Sequence, residues 1–342
     1  MKIYDLRSDT ITKPTPQMRK AIAEAEVGDD IYREDPSVNY LESLAAEMLS
    51  KEASLFVPSG SMGNLIPLFV NGGRGSLVLA SSLSHIIHHE VSALTSIAGI
   101  LPILIDTPRG ILNAESIVPH LSEGSYDMVR KAIIEVENTI GGVCYPLNNL
   151  KEIKALAEKN NMVVHMDGAR LFNAAVATNV EASEIVKNSD TVTFCISKGL
   201  GAPVGSLLCG TKEFIEKARV VRKMLGSAMR QAGILAAGGI YALQNNINRL
   251  ALDHDNAKEI ALALSKTDWA KINLQDVETN ILFFEVEGVA LDKVIRLFKE
   301  RGIMVLSDHS KIRVVTNLHI DSDDTLEICK IIGSIEKKDF LK

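Results

Sequence analysis

From residue 53 onward, short runs in which nearly every residue is apolar alternate with stretches whose apolar residues recur every three or four positions. The short runs predict strands at Ala53–Val57, Ser76–Leu79, Leu101–Ile105, Lys131–Val136, Met162–Met166, Thr191–Ile196 and Gly205–Cys209. Being apolar on both faces, they suit a mostly parallel sheet covered by helices on either side. The 3.6-residue periodicity between them predicts helices over Pro36–Leu49, Asn64–Val70, Ile86–Ser96, Asn149–Lys159 and Lys212–Met224. Strands alternating with helices are the mark of an α/β domain. Past about residue 250 the pattern changes. A long helical stretch, Gln231–Ser265, leads to a strand at Thr279–Val286, a helix at Leu291–Arg301, strands at Ile303–Leu306 and Lys311–Val315, and a last helix near Asp323–Glu336. The reading is a large α/β domain over residues 1–250 and a small α+β domain over 251–342.

Composition removes some function classes. The 342 residues suffice for about two domains, and 46% hydrophobic content supports a large core. A net charge of −6 argues against nucleic acid or an anionic membrane as the main partner, since both require a basic face. Aromatics at 5% are too few for a stacking platform. The four cysteines, Cys144, Cys195, Cys209 and Cys329, are far apart and form no CxxC, so neither a disulfide framework nor a zinc site is indicated. The first residues lack an apolar leader and no apolar run could span a bilayer, which points to a cytoplasmic protein.

Functional groups in open α/β sheets gather beyond the carboxyl ends of the strands. The first strand is followed by Pro58-Ser59-Gly60-Ser61-Met62-Gly63-Asn64. Two glycines, the hydroxyls of Ser59 and Ser61 and a helix N-terminus form an anion cup, or equally an ordinary helix cap. Asp167 closes the run Met162–Met166 and is followed by Gly168-Ala169-Arg170. A buried acid needs a cation or a donor, which could be a pyridinium N–H or Arg170 itself. Lys198 stands in a glycine-rich loop after Thr191–Ile196, where a Schiff-base lysine and a lysine reaching for solvent are the alternatives. Taken singly, the acid and the lysine each favour the structural alternative. Jointly, a phosphate cup, an acid and an amine at three strand ends match the three contacts that pyridoxal 5′-phosphate requires. His85 opens a helix after the second strand and could stack on a flat ring or move a proton. Its i, i+4 partner His89 raises a metal alternative, which lacks a third ligand and the HExxH pattern.

With these residues in hand, the sequence resembles the low-specificity L-threonine aldolases, which have the aspartate aminotransferase-like fold (fold type I) of pyridoxal-phosphate enzymes. The likeness runs over nearly the whole chain. It is strongest at Asp5–Thr10, Val27–Asp30, Pro58–Asn64, His165–Arg170, Phe194–Gly205, Arg222–Met224 and Met229–Gly233. It implies a large, mostly parallel seven-stranded sheet domain, a small C-terminal domain and a homotetramer with sites at subunit interfaces. It implies cleavage of L-threonine or L-allo-threonine to glycine and acetaldehyde. Lys198 would hold the cofactor covalently, Asp167 would bind its ring nitrogen, and His85 would stack on the ring and take the hydroxyl proton. Ser59, Gly60 and Ser61 would hold the phosphate, joined by Arg230 reaching a neighbouring subunit's site. Arg170 would approach the phenolic oxygen and, with Ser8 and Arg313, the substrate carboxylate. Rival readings are another pyridoxal-phosphate reaction (β-elimination or transamination) and a cofactor-binding protein without turnover. A nucleotide-binding α/β protein is disfavoured by the absence of GxxxxGK[ST] and of GxGxxG after the first strand.

Three departures from the family pattern stand out. Ile140 ends Glu137-Asn138-Thr139-Ile140 where the family has histidine. Arg33 stands for glycine in Tyr32-Arg33-Glu34-Asp35-Pro36. Ile87-His88-His89 replace aromatic residues after the stacking histidine. These changes lead to the expectation of an altered pocket for the substrate side chain.

Overall fold

The computed structural model describes residues 2–121 and 126–341. Its strands, in chain order, are β1 (Tyr4–Asp5), β2 (Ala53–Val57), β3 (Leu77–Ser81), β4 (Leu101–Ile105), β5 (Lys131–Glu137), β6 (Val163–Asp167), β7 (Thr191–Cys195), β8 (Ser206–Gly210), β9 (Ala270–Lys271), β10 (Ile281–Val286), β11 (Ile303–Met304), β12 (Leu306–Asp308) and β13 (Lys311–Val315). Seven of them form one sheet in the order β2-β8-β7-β6-β5-β3-β4. The seven-stranded, mostly parallel α/β architecture read from the apolar runs is the one observed.

Only β8 runs against its neighbours, pairing antiparallel with both β2 and β7. A parallel return from β7 would need a crossover of a dozen or more residues, usually a helix. The chain between β7 and β8 is a short loop, so β8 must reverse. Two reversals cancel, and β2 again runs with β7. The carboxyl ends of β2, β3, β5, β6 and β7 therefore meet along one edge of the sheet.

Three predicted elements divide. The helix expected over Ile86–Ser96 is two short ones, His85–His88 and Ala93–Ser96, parted where Val91 and Ser92 take left-handed backbone at φ 52° and 60°. Glu90, just before that break, is turned inward and buried. The stretch Gln231–Ser265 is likewise two helices, Gly233–Asn245 and Leu250–Ser265. Between them Asn246 spends its amide on the Leu200 carbonyl at 2.7 Å. The predicted strand Ile303–Leu306 serves two sheets. β11 pairs parallel with β1, and β12 pairs with β13 in a second sheet of order β12-β13-β10-β9.

Two main apolar cores result. One surrounds the large sheet, with Leu41, Phe56, Met166 and Phe194 wholly buried. The other is built on Trp269, Phe284 and Phe298 and also takes in Tyr4 and Leu6 from the chain's beginning. Leu6 is fixed there by backbone bonds to Met304 and Val315 at 2.9 and 2.8 Å. The segment that follows, Arg7 to Asp9, is thereby laid against the edge where the large-sheet strands end.

Candidate active site

Ser59 caps the helix Gly60–Pro67, its hydroxyl accepting from the Met62 N–H at 3.2 Å. This helix begins hard against β7. A Cβ on Gly60 would lie 2.8 Å from Cys195 Sγ, and one on Gly63 would lie 2.3 Å from Thr193 Cγ2. No side chain fits there, so glycine is what lets the helix start so close to the strand ends. Ser59, Gly60 and Ser61, the residues expected to form an anion cup, are exposed or half-buried at that start.

Asp167 is the last residue of β6 and 1% exposed. Arg170, the structural partner expected for it, is not bonded to it. Asp167 accepts from the Ala169 N–H at 2.9 Å and from Asn64 Nδ2 at 2.6 Å. Asn64 is oriented in turn by His165, whose Nε2 faces Asn64 Oδ1 at 3.3 Å while Nδ1 faces the Thr191 hydroxyl. Burial pushes His165 down to about 4, so its imidazole is neutral and able to donate to one side and accept on the other.

Arg170 is committed elsewhere. Its guanidinium forms two parallel bonds with Asp9, at 2.9 and 2.7 Å, and Asn280 adds a third to that carboxylate at 3.1 Å. Asp9 is wholly buried. Burial alone would raise its pKa, but the Arg170 charge and hydrogen bonds hold it at about 2. Arg313, on β13, brings a second guanidinium from the small sheet into the field of Arg170, Asp9 and Glu137. Lys198 is half-buried in the loop after β7, within the field of Asp9 and Glu137, and its amine makes no hydrogen bond or ion pair among the described residues. Ser8 caps the turn Asp9–Ile11, its hydroxyl accepting from Thr10. Arg230 does not join this group within its own chain. It is exposed and paired with Asp29 at 2.9 Å.

Four carboxyl groups crowd behind the edge. His85 donates its backbone N–H to Glu137 at 2.7 Å, and its ring Nδ1 meets Glu90 at 3.0 Å. Glu90 also accepts from Asn64 at 2.9 Å, and Glu135 accepts from the Ser84 hydroxyl at 2.7 Å. One ligating atom each of His85, Glu90 and Asp167 lies within 4.8 Å of the others. So many acids in so little water cannot all ionise. Burial, then the neighbouring acids, push Glu135 well up, and burial with the Asp167 charge takes Glu137 to about 7. For His85 burial acts against the cation, but Glu90, Asp167 and Glu137 outweigh it and hold the imidazole above its ordinary pKa.

Reading the sequence had missed Asp9, Asn64, Glu90, Glu135 and Glu137 as members of this site. It had also missed Arg222, 1% exposed, which ties Asp30 to the Phe56 carbonyl at the end of β2. The signal was present in part, since Asp9, Asn64 and Arg222 lie in the stretches that carried the resemblance.

Within its own chain, neither residue 33 nor residue 140 turns its side chain to this edge. Ile140 is 2% exposed and packs beside Gly110 in the main core. Arg33 takes left-handed backbone at φ 60°, the conformation glycine adopts without strain, and its exposed side chain pairs with Glu216. Returning glycine at 33 removes about 1 kcal/mol of strain and loses a surface pair of comparable size. Arg33→Gly is therefore expected to change unfolding free energy in urea by at most about 1 kcal/mol and turnover by less than about twofold. A large change in substrate preference would show that Arg33 does reach the site. The third departure does lie at the edge. The His85 and His89 rings are 5.3 Å apart, and His88 meets His309 edge-on at 5.1 Å.

An amine, an acid and a glycine-bounded helix N-terminus stand together at the ends of three strands of an α/β sheet. Residues 5–287 match the model of the β-eliminating lyases. The chain is 40% identical to low-specificity L-threonine aldolase 1 of Arabidopsis thaliana, over 95% of this chain and 94% of that one. It is 39% identical to the low specificity L-threonine aldolase of Escherichia coli K12, over 95% and 97% respectively. Among solved structures, a Leishmania major threonine aldolase superposes with a TM-score of 0.83 at 20% identity, covering 96% of this chain and 98% of that one. The chain belongs to the low-specificity L-threonine aldolases, within the β-eliminating lyase family. Enzymes of this family use pyridoxal 5′-phosphate.

Proposed function

We propose that this enzyme binds pyridoxal 5′-phosphate at the carboxyl edge of its large sheet and cleaves L-threonine and L-allo-threonine to glycine and acetaldehyde. The donor set fits the cofactor. Lys198 offers an amine without a hydrogen-bond partner among the described residues, Asp167 a buried carboxylate, and Ser59, Gly60 and Ser61 an anion cup. The observation that carries the reading is the convergence of these three groups, from β7, β6 and β2, on one edge that also holds His85 and Arg313.

When bound, the cofactor supplies a protonated ring that accepts the electron pair of a bond broken at Cα. The rest falls to the chain. Lys198 would hold the cofactor through its aldehyde carbon, and Asp167 would keep the ring nitrogen protonated. Ser59, Gly60 and Ser61 receive the phosphate, with Arg230 of the partner subunit in a homotetramer. Arg170, braced by Asp9, would approach the cofactor and join Ser8 and Arg313 in holding the substrate carboxylate. Fixing the carboxylate would fix the orientation of the substrate's Cα. His85 takes the β-hydroxyl proton, directly or through water. The site lies where a large domain, residues 1–250, meets a small one, 251–342, whose core also takes in Tyr4 and Leu6 from the first. The division is supported by the helix Leu250–Ser265, which leaves the first core at Leu250 and enters the second at Ala257.

The test is to incubate the protein, supplied with cofactor, with each diastereomer and to measure products. Glycine and acetaldehyde in equal amounts are expected. Ammonia with a 2-oxo acid would overturn the aldolase reading in favour of elimination. No product from either diastereomer, with cofactor bound, would rule out threonine as the substrate.

A further inference from the structure

We propose that Glu90 is the positioning residue of His85: it holds the imidazole with Nδ1–H turned inward and Nε2 left free, and joins it through Asn64 to Asp167. The inference rests on the reading of His85 as a proton-handling group at this edge.

The geometry is asymmetric. His85 Nδ1 lies 3.0 Å from Glu90 Oε1, whereas Nε2 has no hydrogen-bond partner among the described residues. Glu90 is 2% exposed at its side chain and the imidazole 34%, so the carboxylate sits on the inner side and the ring faces outward. The same Oε1 accepts from Asn64 Nδ2, whose other hydrogen goes to Asp167 Oδ2. An oxygen already receiving an amide N–H is a poor place for a proton, so the shared proton belongs on Nδ1. Free histidine has no such constraint, since either ring nitrogen can carry the hydrogen. A partner on one nitrogen decides which nitrogen remains to exchange protons.

The other groups facing His85 cannot do this. Glu137 meets the backbone N–H, Asp167 contributes only through space, and His89 offers a ring at 5.3 Å. Glu90 also explains the broken helix. It is buried immediately before Val91 and Ser92, so the chain turns sharply once the carboxylate has been delivered inward.

The test uses the full-length protein with cofactor supplied, and compares it with Glu90→Gln and Glu90→Asp. The first readout is the pH dependence of deuterium exchange at the His85 C2 position, followed by peptide mass spectrometry. Gln can still accept from Nδ1–H but carries no charge, so the His85 midpoint is expected to fall in Glu90→Gln and to be largely restored in Glu90→Asp. The second readout is kinetic. In Glu90→Gln kcat is expected to fall about tenfold or more with KM little changed, and its acid limb to move with the His85 midpoint. A midpoint that stays put in Glu90→Gln, with only thermal stability reduced, would overturn the proposal and leave Glu90 a packing residue. If the wild-type protein cleaved neither diastereomer while the midpoint fell as described, the Glu90–His85 link would stand and the aldolase reading would fail.

Discussion

Replacing Lys198 with alanine is expected to lower threonine cleavage by on the order of 10⁴-fold or more, with the fold intact. The size follows from what the residue does that no neighbour can. Lys198 is the one amine that the proposed site assigns to the cofactor's aldehyde carbon. The other cations there, Arg170 and Arg313, are guanidiniums, which stay protonated and cannot act as nucleophiles. Lys198→Arg is therefore expected to fail as completely as Lys198→Ala, although it keeps the charge that faces Asp9 and Glu137. Borohydride treatment and peptide mapping provide an independent check. Wild-type protein should carry the reduced cofactor at residue 198, and the variants should carry none. A variant that retained a tenth of the activity, or a label at another lysine, would remove Lys198 from the chemistry. Stability should change little, because the side chain is half-buried and makes no hydrogen bond among the described residues.

Asp9→Ala is expected to destabilise the protein by about 3–5 kcal/mol, the largest stability effect at the site. The pair it breaks is buried on both sides, with Arg170 10% exposed and Asp9 wholly enclosed. Removing the acid leaves a guanidinium in low dielectric with neither counter-charge nor acceptor. It also cuts the tie between the N-terminal segment and Asn280, so that Ser8, Arg170 and Arg313 lose their common frame. Cleavage per folded molecule should fall at least about tenfold, since substrate-positioning groups act through geometry. Asp9→Asn separates charge from shape and makes a pH prediction. The Asp9 carboxyl is held at about 2, below its ordinary 3.8. A depressed acid contributes stability that is fully present above the unfolded value and is lost as pH falls through the folded one. That contribution is about 2 kcal/mol, so the wild type should lose about that much more than Asp9→Asn between pH 5 and pH 2. Urea unfolding at both pH values measures it. Equal losses in the two proteins would show that the Asp9–Arg170 charge pairing is not what holds this edge together.

What was legible in the sequence follows from how local each feature is. The strands of the large sheet could be read because each is a short apolar run, and burial on both faces writes itself into consecutive residues. Lys198 and Asp167 could be read because each directly follows such a run, where a polar group has one place to go: the sheet edge. The cup at Ser59–Ser61 could be read from glycines that a helix would otherwise avoid. None of these needed knowledge of a distant partner.

The partners are what tertiary structure decided. Arg170 looked like the counter-ion of Asp167, three residues away, yet Asp9 claims it from 161 positions off. Asp9 arrives there because Tyr4 and Leu6 are buried in the second core, which no local pattern announces. Asn64 and Glu90 are polar residues in otherwise ordinary helical stretches. They became site residues only when β2 and β3 placed their following helices around the end of β6. Ile140 and Arg33 make the same point, since their identities suggested a changed pocket but their placement within the chain, one in the core and the other at the surface, was set by the fold. The sequence by itself therefore determined the sheet, the order of its strand ends and the groups displayed at them, because apolar burial and backbone conformation are properties of neighbouring residues. Which charges pair, which proton is shared and which side chains face the substrate were decided only by packing, because a buried charge takes whichever partner the fold delivers.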